Sequence, residues 1–134
     1  MPKENLAINL SDNEKWLLVE LTDFSKTLPE LISEIHSDAP EKRLMEKYEV
    51  AIGIVNSLVS KGLVSLCEIA CSSNEPYSVE SVKVLTNDDL EFFINDPWSW
   101  RSSFSRDNKW QYELTPTKKG EAVLDEIFAL RKSN

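Results

Sequence analysis

The feature that most constrains the fold is a stretch of eleven residues without charge in a chain that is 28% charged. It covers residues 50–60 and extends a pattern of apolar residues at spacings of three and four, as on one face of an α-helix. The recurring residues are Leu44, Tyr48, Ala51, Val55 and Leu58. We therefore predict a helix over 41–60 whose second half is buried almost all round. Lys61 and Gly62 are typical residues for its end.

Capping signals predict where the first three helices begin. In each signal a Ser, Thr or Asp that can bond to free backbone amides is followed three residues later by Glu. These pairs are Ser11 with Glu14, Thr27 with Glu30, and Asp38 with Glu41. The helices are predicted over residues 12–25, 28–36 and 41–60.

The second half of the chain predicts a small sheet and two more helices. Apolar and β-branched runs predict strands over residues 63–71, 77–85 and 110–114. Thr86 and the acidic residues after it predict a short helix that stops near Asn95. Residues 98–109 are predicted to be a loop. Thr115 followed by Pro116 predicts the start of a last helix over 116–131.

These elements predict one α+β domain over residues 1–134, since a chain of 134 residues has the size of a single domain. The predicted architecture has three N-terminal helices, a small antiparallel sheet and a C-terminal helix. The sheet carries a helix-containing insertion at about residues 72–109.

Two local patterns link helices to strands. The first consists of Val55, Leu58, Val59, Lys61, Gly62, Leu63 and Val64, and the second of Tyr112, Leu114, Thr115, Gly120 and Leu124. Together they resemble the recognition-helix exit and the wing-to-last-helix junction of MarR- and PadR-like winged-helix proteins. The resemblance covers roughly residues 11–71 and 110–131. It implies a winged-helix-like fold.

The resemblance also implies a helix-turn-helix formed by residues 28–36 and 41–60, with the second helix in a DNA major groove. The candidate DNA-binding residues are Lys42, Arg43, Lys47, Arg101, Arg106 and Lys109. The chain departs from the family pattern in three respects. Glu41, Glu46 and Glu49 cancel the cations of the reading helix, and the second half of that helix is apolar. The insertion is also longer than an ordinary wing hairpin.

The charge balance argues against a protein whose main task is to grip phosphate groups. Fifteen basic and 23 acidic residues give a net charge of −8, whereas nucleic-acid-binding domains usually present a basic face. The acidity suits a basic protein partner. It is also common in cytoplasmic domains that have no such partner, so both interpretations stay open.

No constellation of residues points to catalysis, a metal or a cofactor. The chain has one histidine, His36, and two cysteines, Cys67 and Cys71, which are too few for a four-ligand zinc site. Its three glycines have no phosphate-loop spacing. We therefore expect a protein that is not an enzyme. With no signal-peptide pattern and no apolar run long enough to span a membrane, we expect a cytoplasmic location.

The most informative segment is 96–112, which holds three of the four tryptophans and a locally basic set of side chains. Large aromatic residues with Arg are enriched at the centres of protein interfaces. They also suit stacking on single-stranded nucleic acid, and one or two of these tryptophans could instead pack the segment onto the core. All three interpretations stay open.

Two functions follow from this profile. The first is an immunity- or antitoxin-type module that neutralises a basic, nuclease-like toxin, since its small, acidic profile is similar to that of such bacterial proteins. Its candidate partner-binding residues are Asp88, Asp89, Glu91, Asp96, Trp98, Trp100, Arg101, Phe104 and Arg106. The alternative is a winged-helix DNA-binding transcriptional regulator. A homodimer is compatible with both.

Overall fold

The computed structural model describes residues 9–22, 25–71, 79–101 and 110–132. In these ranges the helices are α1 (Asp12–Glu20), α2 (Leu28–Asp38), α3 (Leu44–Ser60), α4 (Asn87–Ile94) and α5 (Lys118–Lys132). The strands are β1 (Lys26–Thr27), β2 (Val64–Cys71), β3 (Val79–Val84) and β4 (Trp110–Pro116), and a 3₁₀ helix spans Pro97–Trp100. The predicted α+β class is confirmed.

The strands form one antiparallel sheet in the order β1-β4-β2-β3. The chain first forms the β2–β3 hairpin, in which Ile69 faces Val82. It then runs through α4 and the 3₁₀ helix, and returns as β4 on the opposite edge of β2, where Leu66 faces Leu114. The predicted insertion therefore contains β3, one of the two edge strands of the sheet, as well as the predicted helix.

Two of the three predicted capping pairs are present. The Ser11 hydroxyl accepts a bond from the Glu14 amide at 3.2 Å, and the Glu14 carboxylate accepts one from the Ser11 amide at 3.1 Å. Thr27 and Glu30 form the same reciprocal pair at the start of α2. These caps depend only on residues three apart, which is why the sequence alone locates them.

Three predicted boundaries are wrong. The first helix ends at Glu20 rather than residue 25. Asp38 belongs to the last turn of α2, and α3 begins only after Arg43, which makes no side-chain cap bond. Thr115 and Pro116 continue strand β4 because they pair with β2, and Thr117 caps α5 instead.

Helix α3 is buried on the sides that face α1, α2 and β2. Ala51, Val55 and Leu58 are completely inaccessible to solvent. The opposite side of its uncharged half is exposed, and small or polar residues occupy it: Gly53, Asn56 and Ser60. Burial is therefore less complete than the prediction, since an exposed stripe can lack charge without being apolar.

Glu14 connects α1 to the end of α3. Its buried carboxylate accepts bonds from the Ser57 hydroxyl at 3.0 Å and from the Lys61 ammonium at 2.7 Å. Burial alone would raise the pKa of Glu14, but the bonds from Lys61, Ser11 and Ser57 outweigh it and hold the pKa below its ordinary value of 4.5. The interaction therefore favours the folded state whenever Glu14 is ionised.

A second connection joins the end of α3 to the start of α5. The Leu63 carbonyl accepts a bond from the Thr117 amide at 3.0 Å, and the Gly62 carbonyl accepts one from the Thr117 hydroxyl at 2.6 Å. Gly62 has a φ of 75°, which other residues rarely adopt. A Cβ on Gly120 would lie 2.0 Å from the Leu63 carbonyl oxygen, so only glycine allows this approach.

No helix in the described parts of the chain is both long enough and apolar enough to cross a membrane.

We expect Gly120→Ala to lower the free energy of unfolding by more than about 2 kcal/mol, because the new methyl group overlaps the Leu63 carbonyl. Gly53→Ala is the matched control. Its Cβ would meet nothing within 4 Å, so we expect it to stabilise α3 by about 0.5–1 kcal/mol. Urea denaturation of the two variants measures both effects. Equal stability of the two variants would contradict the role given to Gly120.

Removing the Glu14 carboxylate tests the α1–α3 connection through its pH dependence. A carboxyl group whose pKa is lowered by folding contributes stability above its unfolded pKa and loses it as the pH falls through the folded value. We therefore expect Glu14→Gln to be less stable than the wild type at neutral pH, with a difference that shrinks below pH 4.5. Thermal unfolding over this pH range measures it, with the exposed Glu49→Gln as control. A difference that does not change with pH would refute the interpretation.

Candidate functional site

Short caps give α4 and the 3₁₀ helix their shape. The Thr86 hydroxyl accepts a bond from the Asp89 amide at 3.3 Å and so starts α4. The Asp96 carboxylate accepts one from the Trp98 amide at 3.1 Å and starts the 3₁₀ helix. Because these caps are local, the backbone of this region can be well defined although most of its side chains face solvent.

Trp100 attaches the 3₁₀ helix to the core. Its side chain is buried, and its Nε1 donates to the Ile94 carbonyl oxygen at 2.9 Å. Its ring meets the edge of the Tyr48 ring of α3, with centroids 5.4 Å apart and planes at 83°. The Phe93 ring packs on Tyr112 of β4 with centroids 5.1 Å apart and planes inclined at 30°. The insertion is therefore held against both α3 and β4.

Two large aromatic side chains of the insertion point away from this core. Phe92 of α4 is 67% exposed and Trp98 of the 3₁₀ helix is 65% exposed. The Arg101 guanidinium lies over one face of the Trp98 ring, 3.7 Å from its centroid. This stacking restricts the Trp98 side chain without burying it.

Carboxylates lie beside the Phe92 ring. An open depression of about 740 Å³ is lined by Asp88, Glu91, Phe92, Asn95 and Asp96. We call Asp88, Glu91, Phe92 and Asp96 the acidic–aromatic surface, together with Trp98, whose amide donates to the Asp96 carboxylate. Asp89 faces away from the depression, and its carboxylate lies 4.0 Å from the Lys83 ammonium. The surface combines apolar area with negative charge.

Tyr112 and Glu68 form a polar pair beneath the insertion. The Tyr112 hydroxyl donates to the Glu68 carboxylate at 3.2 Å. Burial raises the pKa of Tyr112 well above its usual value, and the nearby Glu68 and Asp96 carboxylates raise it further. The phenol therefore stays protonated at neutral pH, which makes it a hydrogen-bond donor rather than a nucleophile.

The candidate DNA-reading helix presents little positive charge. Lys42 and Arg43 are exposed, but they precede α3. Lys47 is only 8% exposed, so its side chain lies against the protein and does not extend toward a groove. The exposed residues on the first turns of α3 are Leu44, Met45, Glu46 and Glu49. This helix therefore presents two carboxylates and no ammonium or guanidinium group on its exposed side.

The structure divides the predicted partner-binding residues into three groups. Asp88, Glu91, Asp96 and Trp98 lie together on the acidic–aromatic surface, with Asp89 and Arg101 beside it. Trp100 lies in the core, which matches the interpretation that one or two tryptophans pack the segment down. Phe104 and Arg106 lie outside the described residues, as does Lys109 of the candidate DNA-binding set.

Sequence reasoning missed Phe92. The helical spacing of Leu90, Phe93 and Ile94 indicates the core-facing side of this short helix, and Leu90 and Ile94 are buried. In a helix with 3.6 residues per turn, Phe92 then points to the opposite side. The helical position of Phe92 therefore could have predicted that its side chain is exposed.

Among the described residues no group of three or more His, Cys, Asp or Glu side chains is arranged to hold a metal ion. Comparisons with protein-family models, with curated proteins and with solved structures found no match for this chain.

The two neighbouring tryptophans should differ sharply in their contribution to stability. We expect Trp100→Phe to destabilise the fold by about 1–3 kcal/mol, because the buried Ile94 carbonyl loses its donor. Trp98→Phe should change stability by less than about 0.5 kcal/mol, since Trp98 is exposed. Urea denaturation measures both. If the two variants unfold at the same urea concentration, Trp100 does not hold the insertion as described.

Proposed function

We propose that this chain is a non-enzymatic, cytoplasmic protein-binding module of the immunity or antitoxin type, which neutralises a basic toxin by covering it. The observation that carries the proposal is the acidic–aromatic surface. It exposes Phe92 and Trp98 on short helices that Trp100 holds against the core. Side chains of this kind on a defined backbone lose little entropy when a partner covers them.

Phe92 and Trp98 supply the apolar anchors of the proposed interface. Burying an aromatic side chain of this size contributes about 1.5–3 kcal/mol, and the residues that dominate protein interfaces are often tryptophans near the centre of the contact. The Arg101 guanidinium over Trp98 orients that ring before a partner arrives. Two exposed aromatic anchors on consecutive short helices suit a single protein contact.

The carboxylates supply selectivity for a basic partner. Asp88, Glu91 and Asp96 flank the Phe92 ring, and the whole chain carries a net charge of −8. Complementary charge accelerates encounter with a cationic surface and disfavours acidic proteins. A nuclease-type toxin presents such a surface because it binds phosphate groups. The module would then occupy the region where the toxin holds nucleic acid.

The alternative, a winged-helix transcriptional regulator, is favoured by one observation. Helices α2 and α3 pack together and are joined by a short connection, as in a helix-turn-helix. Glu46 and Glu49 on the exposed side of α3 would repel phosphate groups, however, and Lys47 is buried. This charge distribution is why we rank protein binding first.

The test is binding between this chain and the purified product of the gene next to its own. We expect a complex whose dissociation constant rises with salt, since complementary charge contributes to it. Phe92→Ala and Trp98→Ala should each weaken the complex by about tenfold or more. Leu44→Ala is the matched control, because Leu44 is 60% exposed but lies on α3. Biolayer interferometry at low and high salt measures all four proteins.

Two results would contradict the proposal. One is the absence of any complex at micromolar protein. The other is a complex that Leu44→Ala weakens and Phe92→Ala does not. A gel shift with the chain's own upstream DNA, lost in Lys42→Ala and Arg43→Ala, would support the regulator instead.

A further inference from the structure

A cleft separates α3 from the insertion, beside the acidic–aromatic surface. Its volume is about 510 Å³, within the range of sites that hold small organic molecules. The side chains of Tyr48, Ile52, Ile94, Pro97 and Trp100 form its walls. The Tyr48 and Trp100 rings meet at 83°, so they form a corner rather than a flat surface. The lining is thus concave and largely apolar.

One of the side chains that line this apolar cleft is positively charged. Arg101 lines it and is half-buried. Its guanidinium is held over the Trp98 ring, and no carboxylate of the described residues lies within 4.0 Å of it. Arg101 has donors available for an anion from outside the chain.

We propose that this cleft binds an apolar molecule with a single carboxylate, and that Arg101 holds the carboxylate. The apolar part contacts Ile52, Pro97 and Trp100. Arg presents a planar set of donors that matches a carboxylate, and such charge-assisted bonds are about twice as strong as neutral ones. Asn95, which also lines the cleft, adds a polar group near the charged end.

The charge of the surroundings makes the site selective for the carboxylate over other head groups. A cationic ligand would face Arg101 directly, and a neutral amide would gain a weaker bond. A ligand with several negative charges would be repelled by the carboxylates of the neighbouring acidic–aromatic surface. A single negative charge meets the least of this repulsion and still gains the bond from Arg101.

Three eight-carbon probes separate these possibilities: octanoate, octanamide and octylamine. We expect octanoate to bind with a dissociation constant of about a millimolar, as befits a ligand of this size, and about tenfold more tightly than octanamide. Octylamine should not bind. The readout is the ¹⁵N–¹H signal of the Trp100 indole, which lines the cleft and donates to Ile94.

Arg101→Gln should remove the preference for octanoate over octanamide. The matched control is Lys83→Gln, which removes one positive charge from a side chain that is 65% exposed and does not line the cleft. It should keep the preference. Ile52→Trp, which fills the cleft, should abolish binding while the protein stays folded by circular dichroism.

Several results would overturn the proposal. They are an unchanged Trp100 signal at saturating octanoate, equal binding of octanoate and octanamide to the wild type, and a preference that survives Arg101→Gln. The proposal does not rest on the protein-binding function. A chain that binds the adjacent gene product but not octanoate has only the protein site, and the reverse result leaves only the cleft.

Discussion

The rest of the structure depends on the close contact between the end of α3 and the start of α5. Gly62 turns the chain out of α3, and the two carbonyls that this turn presents accept bonds from Thr117. Gly120 lets α5 approach the Leu63 carbonyl more closely than any side chain would permit. This contact fixes where β2 begins and where β4 ends, so it sets the register in which β2 and β4 pair. The insertion connects these two strands.

The insertion then takes its position from that register. Since β4 must return along β2 to reach Thr117, both ends of the insertion are fixed at the sheet, and its 3₁₀ helix packs on α3 through Trp100. Trp100 and Phe93 fill the space between the insertion and the elements beneath it. This arrangement also explains why Phe92 and Trp98 are exposed. The short helices that direct neighbouring residues into the core direct these two side chains toward solvent.

What the sequence could predict depended on how far apart the interacting residues are. The capping boxes at Ser11 and Thr27, the end of α3 at Gly62 and the caps around α4 need only neighbours in sequence. Strand β1 could not be predicted, because two residues carry no alternation. One of them, Lys26, is buried only because Glu34 and Glu20 lie beside it in the fold. The Thr117 hydroxyl likewise donates to the Gly62 carbonyl, which lies 55 residues away in sequence.

The same distinction explains why function was harder to derive from the sequence than fold. Lys42, Arg43 and Lys47 count equally in a sequence, yet burial removes Lys47 and the helix start separates the other two from the exposed side of α3. Among the aromatic residues, Trp98 and Trp100 are two positions apart and have opposite roles, because a 3₁₀ turn directs one to solvent and the other to Tyr48. Charge and aromatic content therefore identify the segment that matters. Only the packing decides which side chains of that segment a partner can reach.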